Sequence, residues 1–118
     1  MTTKKNNRKD AIRFIKNYIQ VLRSSRQLYS VMSDCEFAQY SHSEWAAKEC
    51  LHYIRAHPEL DVLDAVEAFS QKMLRYCLKK DVPEVTWPFS VAHDTAEDIY
   101  DQLYWHYKLN EWKGKSNE

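Results

Sequence analysis

Asp61-Val62-Leu63-Asp64-Ala65-Val66-Glu67-Ala68-Phe69-Ser70-Gln71-Lys72-Met73-Leu74-Arg75-Tyr76-Cys77-Leu78-Lys79-Lys80 is the stretch that decides the fold class. Val62, Val66, Phe69, Met73 and Cys77 recur three or four residues apart, the period of one face of an α-helix, with Ala65, Leu74 and Tyr76 beside them. Asp61 stands where an N-cap accepts the first free N–H groups. Asp64 lies in the first turn, where the helix dipole favours an anion, and Lys79 and Lys80 close the last turn, where it favours a cation. Stripe, cap and charge agree on a helix over 61–80.

The same reasoning extends in both directions. Ala47, Cys50, Leu51 and Ile54, flanked by Trp45 and Ala46, predict a helix over 43–57. Ser41 and Glu44 have capping-box spacing, and Pro58 disfavours helical backbone at His57. Residues 33–42 read as a connection, with room for a helical turn near Cys35-Glu36-Phe37. Ile12, Ile15, Ile19 and Leu22, widened by Ala11, Phe14, Tyr18 and Val21, predict a first helix over 7–32. Pro83 and Pro88 bracket a short loop carrying Trp87. A last helix over 90–112 turns Ala92, Thr95, Ile99, Leu103 and Tyr107 inward. The expected fold is all-α, a compact bundle of four main helices in a single domain over 1–118. A short basic N-terminal arm (1–7) and a polar C-terminal tail (114–118) flank it. A first helix this long leaves apolar surface that a second copy could cover, so a homodimer is one expected partnership.

Composition removes whole classes of function. The 118 residues include a single glycine, Gly114, so no P-loop, G-x-G-x-x-G fingerprint or G-x-S-x-G nucleophile elbow exists. No segment approaches the ~20 apolar residues that cross a bilayer. The basic N-terminus leads into Arg13, Lys16 and Arg23 rather than an apolar run, so neither membrane association nor a signal peptide is expected. Three cysteines (Cys35, Cys50, Cys77) without C-x-x-C fit a reducing cytoplasm. Cys50 and Cys77 sit at core phases, and no His or Asp is tied by sequence to Cys35. His42, His52, His57, His93 and His106 lack the paired spacing of a zinc site, and no metal or cofactor is expected.

Charge marks two candidate surfaces. Residues 1–32 hold eight Lys/Arg and one acid, a net of +7, and the remainder carries −7. On the last helix Asp94, Glu97, Asp98 and Asp101 stand at i, i+3, i+4 and i+7, a carboxylate stripe with Trp87, Tyr104 and Trp105 beside it. Trp and Tyr anchor protein interfaces because they bury much area for little lost entropy. An acidic aromatic surface can also imitate nucleic-acid phosphates toward a basic protein. Such a stripe could hold Mg²⁺, in the manner of all-α nucleotide pyrophosphatases, with Glu59, Asp61, Asp64 and Glu67 as a second acidic set. Against that, acids early in a helix stabilise it through the dipole, and acidic faces are usually just solvated. The second surface is the basic face of the first helix, Lys5, Arg8, Lys9, Arg13, Lys16 and Arg23, which could neutralise phosphates of a nucleic acid. The competing expectation is that this helix lies beside the acidic faces of the chain or of a second subunit.

Ser43-Glu44-Trp45-Ala46-Ala47-Lys48-Glu49-Cys50, His57-Pro58-Glu59 leading into Asp64-Ala65-Val66-Glu67-Ala68-Phe69, and Phe89-Ser90-Val91-Ala92-His93-Asp94 resemble small uncharacterised all-α proteins of bacterial chromosomes and integrated mobile elements. The resemblance covers about 41–105. It implies a small cytoplasmic helical protein, an accessory of a mobile element, and no catalytic residue. The leading expectation is therefore a non-enzymatic protein–protein interaction module. It would dock Trp87, Asp94, Glu97, Asp98, Asp101, Tyr104 and Trp105 on a host protein, as an accessory or an inhibitor; nucleic-acid binding and Mg-dependent phosphate chemistry are the alternatives.

Overall fold

The apolar stripes read from the sequence meet in one core. A computed structural model describes the backbone of residues 4–26, 33–79 and 83–116 and the side chains of 8–25, 33–78 and 86–109. Among the described residues four helices, α1 (Lys4–Arg26), α2 (Asp34–Ala56), α3 (Val62–Lys79) and α4 (Pro83–Ser116), form an all-α bundle. Each contributes to the enclosed centre: Ile15 from α1, Ile54 and Cys50 from α2, Val66 from α3, Ile99 and Leu103 from α4. α4 packs most extensively on α3 and then on α2, whereas α1 packs chiefly on α2. None of the helices among the described residues is long and apolar enough to cross a membrane.

Two helix starts differ most from the sequence reading. α2 begins at Asp34, so 34–42 is helix and not a connection. Its cap is Ser33, in extended backbone, whose Oγ accepts the Glu36 N–H at 3.1 Å and lies 3.2 Å from Glu36 Oε1. Ser41 is inside the helix and donates to the Phe37 carbonyl at 3.0 Å. Glu44 is buried, held by Lys48 Nζ at 3.0 Å and by Arg23 Nε at 3.5 Å, so it ties α2 to α1 rather than capping a helix.

The second boundary is at α4, which starts at Pro83 and runs through Pro88. Pro83 takes the first helical position, where its missing N–H has no partner to lose. Pro88 costs one helical bond, but its neighbours are fixed from outside the helix. Trp87 packs edge-on against His42 at 5.0 Å, and Phe89 lies 5.1 Å from Tyr76 and 6.4 Å from Trp45. Tertiary packing thus overrides the stop signal. α1 begins at Lys4 and α4 ends at Ser116, inside the stretches read as arm and tail. The expected continuation of the first helix over 27–32, and Lys80, lie outside the described residues.

Polar pairs set how the helices sit. Tyr18 donates to Asp98 Oδ2 at 2.8 Å, and His106 Nε2 lies 2.7 Å from Asp10 Oδ2. Residue numbers rise on α1 as they fall on α4, so the two run antiparallel. Ser70, fully buried on α3, donates its hydroxyl to Glu97 Oε1 of α4 at 2.5 Å. With that proton committed, His93 Nδ1 is the donor toward Ser70, 2.9 Å from its Oγ and 3.2 Å from its carbonyl. Ser70→Ala leaves Glu97 and His93 without their shared partner. It is expected to cost about 1–2 kcal/mol in urea unfolding followed by circular dichroism, and an unchanged midpoint would contradict the bridge.

Candidate docking surface on the last helix

Because α4 is continuous, Trp87, Asp94, Asp98, Asp101 and Trp105 fall near whole turns from one another and form one row, about 27 Å long at 1.5 Å per residue. The three aspartates are exposed. Trp87 is 37% and Trp105 63% exposed, and Leu109 extends the apolar end at 54%. Tyr104 packs edge-on against Trp105 at 5.6 Å, with Lys108 Nζ 5.6 Å above the Tyr104 ring. The row is thus an acidic centre between two aromatic ends. Within it Asp98 accepts from Tyr18 and, at 2.9 Å, from Gln102 Nε2, while Asp94 and Asp101 form no ion pair among the described residues. Burial first, and then the Asp98 hydrogen bond and charge, hold the Tyr18 hydroxyl above its ordinary range and keep it a donor at neutral pH. Glu97 leaves the row: it turns inward to Ser70, and Ser70 is the reason.

Of the expected basic face, Lys9, Arg13 and Lys16 are exposed on α1, again at i, i+4 and i+7. None of the ion pairs among the described residues joins them to a carboxylate. Arg23 is engaged by Glu44. Arg8 turns to the end of α2, where Nη1 donates to the Ile54 carbonyl at 2.6 Å and Nη2 to that of Leu60 at 2.5 Å. The side chain of Lys5 lies outside the described residues.

No family model, curated protein or solved structure matches the chain. What the surface can do is read from its own side chains.

Among the described residues no three His, Cys, Asp or Glu converge where a metal ion could be held. Ser70, His93 and Glu97 have the composition of a hydrolytic trio but not its arrangement. The serine is fully buried and donates its hydroxyl hydrogen bond to the carboxylate rather than to the imidazole, which is not the Ser–His–acid order of that trio. One feature escaped sequence reading, a groove of about 370 Å³ between α2 and α3 walled by Trp45, Tyr53, Phe69, Met73 and Tyr76, with Lys72 at its rim. His57 stacks on Tyr53 at 4.1 Å there. Trp45 and Tyr76 lie off their core stripes, which is the only signal of it that a single helix carries.

Proposed function

We propose that the chain is a non-enzymatic docking module that presents the α4 row to a protein partner. The observation that carries this is the pair of exposed tryptophans, Trp87 and Trp105, bracketing three exposed aspartates on one helical face. Exposed tryptophans are the side chains that most often anchor protein interfaces. The partner they fit has a basic strip between two apolar recesses. On the resemblance of 41–105 to mobile-element proteins, the proposal takes a host protein as target, inhibition as outcome and the cytoplasm as compartment.

The test is capture from cell extract on the immobilised chain, with and without nuclease, read by mass spectrometry. A protein retained after nuclease is expected, its recovery falling at least about tenfold with Trp105→Ala, as for an interface anchor worth about 1.4 kcal/mol or more. Asp94→Asn with Asp101→Asn is expected to act in the same direction. Equal recovery by all variants would overturn the assignment. Recovery that vanishes with nuclease would replace it with nucleic-acid binding through Lys9, Arg13 and Lys16.

A further inference from the structure

We infer that the α4 row also has a partner in the chain itself: the basic row of α1 in a second copy, in a symmetric dimer where each protomer gives both rows. The inference rests on the docking reading of α4 and deepens it by naming one partner. Lys9, Arg13 and Lys16 repeat the i, i+4, i+7 spacing of Asp94, Asp98 and Asp101 with opposite sign, each set spanning about 10.5 Å of helix. All six are exposed. No ion pair among the described residues joins one row to the other within the protomer, because α1 packs chiefly on α2. A fold that left both rows to solvent would gain nothing from their match; a two-fold axis makes the contact twice and leaves neither sign in excess.

The apolar parts agree. Trp105 and Leu109 extend one end of the acidic row, and Val21, 59% exposed, lies beyond Lys16 on α1, to one side of the basic row. α1 and α4 are antiparallel neighbours joined by Tyr18–Asp98 and Asp10–His106, so both rows belong to one pair of helices. A strip the full length of the α4 row, about 27 Å, and about 10 Å wide, doubled by symmetry and counted on both partners, comes at most to about 1,100 Å², below the roughly 1,200 Å² of stable interfaces and in the range of weak, transient ones. Exposed ion pairs are individually weak and screened by salt, so the dimer is salt-sensitive and reversible.

Charge exchange tests it. By light scattering at about 100 µM, above the micromolar range of small interfaces, the wild-type chain is expected to show dimer mass at low salt. It is expected to fall to monomer mass in about 1 M salt, where the screening length is about 3 Å. Lys9→Glu/Arg13→Glu/Lys16→Glu gives a monomer, and so does Asp94→Lys/Asp101→Lys, which spares Asp98 for Tyr18. Mixed one to one, the two variants restore the dimer, since both contacts again join opposite charges. Trp105→Ala, an exposed change outside the core, weakens the wild-type dimer. A wild-type monomer at low salt, or a dimer that survives both charge reversals, would overturn the inference. A monomer that still captures a protein from extract leaves the docking reading standing. A charge-exchange dimer that captures nothing keeps the self-association and removes the foreign partner.

Discussion

Arg8→Met is expected to lower the stability of the chain by about 2–3 kcal/mol, roughly 10 °C in melting temperature, although the residue is charged and only half-buried. A helix ends with carbonyls that have no N–H partner and with the negative pole of its dipole. At the end of α2 the His57 N–H reaches the carbonyls of Tyr53 and Ile54 at 3.1 and 3.3 Å, and the rest of the turn has few donors. The Arg8 guanidinium supplies them. Nη1 takes the Ile54 carbonyl and Nη2 that of Leu60, with the Pro58 and His57 carbonyls 3.3 and 3.4 Å from Nη2. One planar fork thus closes α2, fixes the 57–61 turn that launches α3 and holds the first turns of α1 against both. Methionine keeps the length of the stem and removes only the fork. Arg8→Lys keeps the charge but has one donor centre, so it is expected to recover no more than about half of the loss. Urea unfolding of the wild type and the two variants checks this. Equal midpoints for the wild type and Arg8→Met would show that water serves these carbonyls as well.

That contact also explains why Arg8 reads from sequence as a phosphate ligand. Its partners are 46 to 52 residues away, and nothing local in a basic stretch distinguishes a capping arginine from a solvated one. α3 was legible because stripe, cap and terminal charges coincide on one segment. The first turns of α2 were not, because 33–37 are all exposed and have no apolar stripe to betray them. Ser33 and Glu36, with Asp34 beside them, hold that end by capping alone. Of the candidate site, the spacing of Asp94, Asp98 and Asp101 was visible. The alignment of Trp87 with them was not, since it depends on a helix continuing through Pro88 under packing from α2 and α3. The inward turn of Glu97 depends on a serine of another helix, and the groove needs walls from two.

Stability is expected to fall steeply above pH 9, and Cys50 is expected to be a principal cause. Its thiol lies in the core, and burial pushes it from 9.0 up to about 12. Tyr107 is pushed from 10.0 to about 12 by burial first and then by the charges of Asp10 and Asp61, and Tyr18 is raised in the same direction. In each case the unfolded chain releases the proton at a pH where the folded chain keeps it. The unfolded state then binds fewer protons, and stability falls as pH rises. The Cys50 contribution is fully present below pH 9 and is lost progressively toward pH 12. At about 1.4 kcal/mol per pH unit the total is on the order of 4 kcal/mol. Cys50→Ala removes that slope at the cost of a small cavity, about 1 kcal/mol at neutral pH. The two stability curves are therefore expected to cross: wild type is the more stable at pH 7, and the variant is the more stable above about pH 10. Urea midpoints at about pH 7, 9, 10 and 11 locate the crossing. Curves that stay parallel would mean the core opens to hydroxide before the thiol ionises, so that Cys50 titrates in a locally unfolded α2 rather than in the native bundle.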